Sequence, residues 1–380
     1  MSYDFIVVGA GIAGASVASE LAASGKVLVI EREAQPGYHS TGRSAAMFIA
    51  NYGAPEIAAL ARLSEGFLRA PTPGFAENPL LEDRGCMLLG LAGEAADLDR
   101  AHAESVANQR PTERISPEEA VAMVPSLRRD AVCGALWDPS SAAIDVNELH
   151  GGFLRKLRRL GAELATDCQA LAFERIGGKW RATTSNGVFE APVIVNAAGA
   201  WADTVGAMLG ADRLGLTPHR RTALLAAPPD GVDIAGWPLV LHVGERFYFK
   251  PEAGKLLISP GDETPVDPCD VQPDDMDVAI GVDRVEQVTS LSIRRVTHRW
   301  AGLRTFAPDH SPVIGFDPLV AGLFWLAGQG GGGIQTSPAM AHVAATLARG
   351  LPLPTEYRDA GLTAAGLSPA RLLAPESLGR

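Results

Sequence analysis

The sequence predicts a mixed α/β protein: a Rossmann-like domain with an inserted, mostly antiparallel β-sheet domain. Three observations carry this. A buried-looking strand runs into Gly9-Ala10-Gly11-Ile12-Ala13-Gly14 and then a helix; a second strand, Val193-Ile194-Val195-Asn196, repeats the strand-to-glycine-to-helix pattern; and between about 217 and 300 the pattern changes to short strands.

Phe5-Ile6-Val7-Val8 is a continuous apolar run of the kind found in parallel strands covered on both faces. From Ile12 to Ala23 small and apolar residues suit a helix packed closely on a sheet, and Val27-Leu28-Val29-Ile30 reads as the next strand, ending at Glu31. This is a βαβ opening. Helical periodicity extends over 54–69, 93–107 and 146–160, strands are expected at 86–91 and 132–137, and Pro and Gly clusters make 71–79 and 227–237 loops. Leu239–Val243, Phe247–Lys250 and Lys255–Ser259 are read as strands of the inserted sheet, a natural wall for a cavity. From Phe324 a strand leads to Gln329-Gly330-Gly331-Gly332-Gly333 and a helix from about Ile334, and the last dozen residues are expected to fray. The nucleotide domain is thus expected in 1–50, 145–216 and 300–380, the substrate domain in 51–144 and 217–299.

Composition narrows the function. The 380 residues are 47% hydrophobic and 20% charged, which fits an ordinary globular core, and the net charge of −11 disfavours a nucleic-acid partner. A small-molecule substrate is expected instead. The four cysteines have no C-x-x-C pair and the histidines no H-E-x-x-H spacing, so neither disulfides nor a metal site is expected. No basic region followed by an apolar stretch precedes the first strand, and no apolar run approaches the length of a bilayer span, so a cytoplasmic protein is expected.

The glycine fingerprint gains force from its context, because Glu31 follows at about 20 residues, where a carboxylate accepts hydrogen bonds from an adenosine ribose. Gly9 permits the tight turn, Gly11 lets the backbone approach a pyrophosphate, and Gly14 allows close packing of the helix, whose first N–H groups favour the anion. This pattern alone does not separate NAD from FAD. The hydroxyls of Ser40-Thr41-Gly42-Arg43-Ser44-Ala45-Ala46 and the C-terminal glycine run before a helix favour FAD, whose reduced ring a helix N-terminus would stabilise.

The run Gly37 to Ala46, Asn196-Ala197-Ala198-Gly199-Ala200-Trp201, Trp300-Ala301-Gly302-Leu303-Arg304 and Gln329 to Ser337 resemble the D-amino acid oxidase superfamily of FAD-dependent oxidoreductases. Within it the similarity is to bacterial D-arginine dehydrogenases, over essentially the full chain. The resemblance implies oxidation of a D-amino acid at Cα to an imino acid, which water hydrolyses to a 2-oxo acid and ammonia.

The resemblance also assigns residues. Arg221 and Arg304 would hold the substrate carboxylate, for which a planar guanidinium offers two parallel donors. Tyr52 and Tyr248 would line the pocket, with the backbone carbonyl of Gly331 or Gly332 orienting the amine. From the residues alone the arginines read equally as surface ion pairs and the tyrosines as packing. The cofactor set is Gly9, Gly11, Ile12, Ala13, Gly14, Glu31 and Arg32; Thr41, Arg43, Ser44, Ala45 and Ala46; Ala170 and Leu171; Ala198, Gly199 and Trp201; and Gly302, Gly330, Gly333, Ile334, Gln335 and Thr336. The FAD is expected to be non-covalent, although His39 stands where some related amine dehydrogenases attach it. The electron acceptor is left open among a quinone, an electron carrier and O2.

The pocket departs from its relatives at Met47, Ile49 and Cys86, where D-arginine dehydrogenases place histidine, threonine and a carboxylate; Gly332 and Gln335 complete the expected pocket. A neutral, hydrophobic D-amino acid is therefore expected. Four alternatives stand beside it. Glu82 or Asp83 would replace the missing carboxylate; Arg246, two residues from Tyr248, would admit an acidic substrate; or the scaffold oxidises a 2-hydroxy acid or secondary amine, or binds flavin without turnover.

Overall fold

The computed structural model describes residues 2–374. Its two large sheets are a six-stranded, mostly parallel sheet and a nine-stranded, mostly antiparallel sheet, and both contribute residues to one cavity. Of the last dozen residues, expected to fray, 375–380 lie outside the described residues, whereas Pro369–Leu372 form a 3-10 turn capped by Ser368.

The six-stranded sheet runs Val313–Phe316, Leu323–Ala327, Val193–Asn196, Phe5–Val8, Val27–Ile30, Glu163–Ala165. Phe5–Val8 is buried at all four positions and pairs in parallel with both neighbours, which is why its sequence is continuously apolar rather than alternating. The helix Ile12–Leu21 packs on this sheet through Gly, Ala and Ser. A Cβ on Gly14 would sit 1.8 Å from the Gly9 carbonyl oxygen, so only glycine permits the approach. The helix Gly333–Ala348 crosses Pro338, which cannot donate to the Ile334 carbonyl. Ser337 Oγ donates to that carbonyl instead at 2.9 Å, and the next free N–H, of Ala339, goes to Ser64 Oγ at 3.1 Å, tying the helix to Pro55–Arg69.

The nine-stranded sheet follows the order Thr264–Pro265, Thr217–Ala226, Lys255–Ser259, Tyr248–Glu252, Leu239–His242, Cys86–Leu91, Val132–Asp138, Glu113–Ile115, and Val296–Phe306 also pairs with Thr217–Ala226. It is antiparallel except where Leu239–His242 meets Cys86–Leu91. In the long pair Arg221 faces Gly302 and His219 faces Arg304. Arg221 and Arg304 are therefore diagonal neighbours on one face, because side chains alternate along each strand.

Helices at Pro55–Arg69, Ala95–Ala107 and Val146–Arg159 and strands at Cys86–Leu91 and Val132–Asp138 occupy the expected segments. Three features differ. Between 217 and 300 there is a helix, Asp275–Val288, whose N-cap Asp274 accepts from the Met276 N–H at 2.8 Å; its few buried valines leave a weak apolar stripe. A three-stranded antiparallel sheet, Ala170–Ile176, Lys179–Thr184 and Gly187–Ala191, stands apart from both larger sheets. Strand Val296–Phe306 stays in the nine-stranded sheet to its end, so a boundary at 300 would cut it.

Candidate cofactor and substrate site

The glycine turn forms one end of an elongated cavity of about 300 Å3, lined also by Glu31, Thr41, Trp201, Arg304 and Gly331. That volume lies within the range of small-molecule sites. Gly9, at φ +100°, lies so close to the Val193–Asn196 strand end that a Cβ would come within 2.6 Å of the Ala197 carbonyl oxygen. Helix Ile12–Leu21 begins at Gly11 with no side-chain cap from that residue; Thr41 Oγ1 accepts the Ile12 N–H at 2.9 Å. Glu31 braces the turn as well as facing the cavity: Oε2 accepts the Ala10 N–H at 2.7 Å and Oε1 the Glu33 N–H at 2.9 Å. The bare glycine backbone and helix N-terminus are what a pyrophosphate requires, so these residues fit a dinucleotide.

His150 supports the turn from below. Its buried Nε2 lies 2.9 Å from the Ala10 carbonyl, and its ring lies where a Cβ on Gly37 would be 2.9 Å away. Burial pushes its pKa down despite that hydrogen bond, so the ring stays neutral as a donor. His39 lines the cavity with its Nε2 2.9 Å from Glu33 and its ring tilted on Trp201 at 4.7 Å. Arg32 stacks over the same indole at 4.2 Å.

Gly9, Gly11, Ile12, Ala13, Glu31, Arg32, Thr41, Ser44 and Ala45 line the cavity, together with Ala170, Ala198, Gly199, Trp201, Gly302, Gly330, Gly333 and Ile334. Arg43 lines it too, but its guanidinium is held by the carbonyls of Val271 and Ala301 and by Asp270, which ties its turn to the 270–271 loop and to strand Val296–Phe306. Five residues expected in the cofactor set do not line it. Gly14 lies behind the turn, packed on Gly9. Leu171 is 54% exposed on the small sheet, where alternation turns it away from Ala170. Ala46 carries the left-handed backbone of its loop, φ 53°, and accepts from the Ile144 N–H. Gln335 Oε1 accepts the Ile49 N–H at 2.8 Å, and Thr336 is fully buried with its hydroxyl bonded to the Gly332 carbonyl.

The other end of the cavity holds a cluster of charged and phenolic groups. Arg221, Tyr248, Arg304 and Gly331 line it. Arg304 donates from Nη1 to the Tyr52 hydroxyl at 3.1 Å, and that hydroxyl donates to Glu245 Oε2 at 3.2 Å. Arg221, 6% exposed, pairs with Glu263. Burial opposes the Arg304 charge, yet Tyr52, Tyr248, Glu245 and Glu263 outweigh it and hold its pKa above the ordinary value. Burial raises the Tyr52 pKa against the pull of Arg304, so the phenol keeps its proton. Arg221 Nε and Gln329 Nε2 are buried without a hydrogen-bond partner among the described residues, and both belong to residues of the cavity wall. Two unsatisfied buried donors beside a cavity fit an oxygen-bearing ligand.

Met47, Ile49 and Cys86 lie outside that cavity wall but pack in one apolar cluster with Tyr248, Leu239, Leu241 and Leu257. Burial pushes the Cys86 thiol up, with Asp138 adding to it, so Cys86 contributes volume rather than charge. Gly332 is not suited to receive a substrate amine: its carbonyl already accepts both the N–H and the hydroxyl of Thr336, and a Cβ on it would be 2.5 Å from Ile57. Glu82 and Asp83 pair with Arg84 and Arg69 and are 74% and 76% exposed, so neither replaces a pocket carboxylate. Arg246 lies in the turn before Tyr248–Glu252 and pairs with Glu94, away from the cavity.

Sequence reasoning missed Gln329 as a wall residue, although it heads the glycine run, and it missed Glu245 and Glu263. Both acids stand in connections between strands, where no periodicity marks which way a side chain faces.

Comparison with known proteins agrees with this architecture. The family model described as FAD dependent oxidoreductase (DAO) matches residues 4–347. Glycine oxidase of Bacillus licheniformis is 24% identical over 370 residues, covering 94% of this chain and 96% of the relative. The crystal structure of glycine oxidase from Geobacillus kaustophilus superposes with a TM-score of 0.85 at 23% identity, covering 98% of this chain and 100% of the other. L-α-glycerophosphate oxidase from Mycoplasma pneumoniae, solved with FAD bound, superposes with a TM-score of 0.82 at 18% identity over 92% of this chain and 95% of the other. These relatives bring forward glycine oxidases rather than D-arginine dehydrogenases. Among the described residues no helix is long and apolar enough to cross a membrane.

Proposed function

The chain belongs to the DAO family of FAD dependent oxidoreductases, and from that premise we propose that it oxidises the Cα–N bond of a D-amino acid with a neutral, apolar side chain. The observation that carries this reading is the diagonal pair Arg221 and Arg304 on one sheet face, next to the apolar cluster of Met47, Ile49, Cys86 and Tyr248.

In this reading the two guanidiniums hold the substrate carboxylate, and Arg221 exchanges Glu263 for it. FAD, when bound, supplies the hydride acceptor for the Cα hydrogen. The chain supplies position: the carboxylate anchor fixes Cα, and Tyr52 and the Gly331 backbone stand beside the amine. The amine must be neutral for its lone pair to assist loss of hydride, so the rate rises with pH. The glycine oxidases among the relatives support chemistry at a Cα–N bond. The apolar cluster favours a substrate larger than glycine.

The test is product analysis with paired enantiomers. Incubation with D-leucine or D-methionine and an artificial electron acceptor should yield 2-oxo acid and ammonia in equal amounts, with the L-enantiomers inert. Equal turnover of L-enantiomers, or turnover of 2-hydroxy acids alone, would contradict the reading.

A further inference from the structure

The Tyr52 hydroxyl has one proton and two lone pairs. The guanidinium of Arg304 can only donate, so its 3.1 Å contact occupies one lone pair; the carboxylate of Glu245 can only accept, so its 3.2 Å contact claims the proton. One lone pair remains. A Cβ on Gly331 would lie 3.1 Å from both the Tyr52 hydroxyl and Arg304 Nη1, so this lone pair belongs to an atom facing the glycine run.

The turn that presents Glu245 is braced more heavily than a hairpin connection needs. Glu245 has a left-handed backbone, φ 53°, a conformation that costs energy for a non-glycine residue. Its N–H donates to the His242 carbonyl at 2.8 Å, and the Gly244 N–H donates to His242 Nδ1 at 2.9 Å. His242 Nε2 faces Glu94 at 3.0 Å. Gly261, at φ +69°, packs so tightly that a Cβ there would be 2.1 Å from the Glu245 carbonyl oxygen. Strain held by this many contacts aims the carboxylate at one hydroxyl.

We infer that Glu245 is a positioning residue that fixes the Tyr52 hydroxyl as a hydrogen-bond acceptor toward the substrate amine. The inference rests on the amine-oxidising reading above. Without Glu245 the phenol proton is free to turn to the neutral amine and engage the lone pair whose release drives hydride loss. With Glu245 in place Tyr52 accepts an amine N–H and leaves that lone pair free. No proton is transferred and no bond is made or broken by Glu245 itself.

The test is a double-mutant cycle on the holoenzyme, reading the limiting rate of anaerobic flavin reduction by a D-amino acid that reduces the wild type. Glu245→Asn suits a left-handed backbone but is one methylene too short to reach Tyr52; it should lower the limiting rate about tenfold, with the dissociation constant for an α-methyl substrate analogue changed less than the rate. Glu245→Gln keeps an acceptor oxygen at full reach and should stay within about threefold of wild type. In a Tyr52→Phe background, Glu245→Asn should add less than about twofold. Equal effects of Glu245→Asn in both backgrounds, no effect in either, or a loss in Glu245→Gln as large as in Glu245→Asn would each overturn the inference. If Glu245→Asn does not retain flavin, Glu245→Ala replaces it, and loss of flavin in both would assign the residue to folding and overturn the positioning role. A wild type that no amino acid reduces would instead refute the amine-oxidising reading, and this inference with it.

Discussion

Arg304 and Tyr52 meet through a 3.1 Å hydrogen bond, and the space where a side chain on Gly331 would begin lies equally close to both. Replacing Gly331 by Ala should therefore push against the substrate anchor without touching the glycine turn. We expect FAD content to remain and KM for the amino acid to rise roughly tenfold or more. Unchanged steady-state kinetics would show that the substrate lies elsewhere.

Arg304 should not be replaceable by Lys. An ammonium is a single point charge and cannot present the planar fork that a carboxylate engages through two oxygens. Arg304→Lys should lower kcat/KM about a hundredfold, measured by steady-state assay across the substrate concentration range. A loss below about threefold would remove Arg304 from the anchor.

Cys86 is the position from which side-chain preference should be tunable. Its protonated thiol lies among Met47, Ile49 and Tyr248. Cys86→Glu should raise the ratio of kcat/KM for D-arginine over D-leucine by about tenfold or more, and should lower thermal stability because a carboxylate enters an apolar cluster. A ratio that does not move would place the substrate side chain away from this cluster.

His150 predicts a pH dependence of stability. Its folded pKa lies below the ordinary imidazole value of about 6.5, so the unfolded chain binds its proton first as pH falls. Its contribution is present above about pH 6.5 and is lost as pH falls through the folded pKa. The unfolding midpoint of the wild type should thus fall below that pH, and a His150→Gln variant should show a shallower acid slope. Parallel slopes would sever His150 from the acid transition.

Much of the fold is legible where local pattern and tertiary environment agree. Phe5–Val8 and Val27–Ile30 are apolar throughout because they are covered on both faces, and the helices at Pro55–Arg69 and Val146–Arg159 bury one stripe each. Asp275–Val288 is obscured because it buries few residues, and the long pairing of Thr217–Ala226 with Val296–Phe306 joins segments that no local signal connects. The site follows the same rule. Gly9, Gly11 and Glu31 are readable from spacing, whereas the diagonal of Arg221 and Arg304 depends on strand register, and Glu245 and Glu263 on which way two turns face. Arg43 shows the converse: it stands beside the cavity as its motif implies, but its guanidinium serves the backbone carbonyls of Val271, in a loop, and Ala301, in the nine-stranded sheet.

The most direct test of the account is an anaerobic panel in which the oxidised holoenzyme is mixed with D-leucine, D-methionine, D-phenylalanine, D-arginine, their L-enantiomers and a 2-hydroxy acid while the flavin absorbance is followed. Rapid bleaching by the apolar D-amino acids is expected, with slower bleaching by D-arginine and none by the L-enantiomers or the hydroxy acid. Faster bleaching by D-arginine than by D-leucine, or bleaching only by the hydroxy acid, would contradict it.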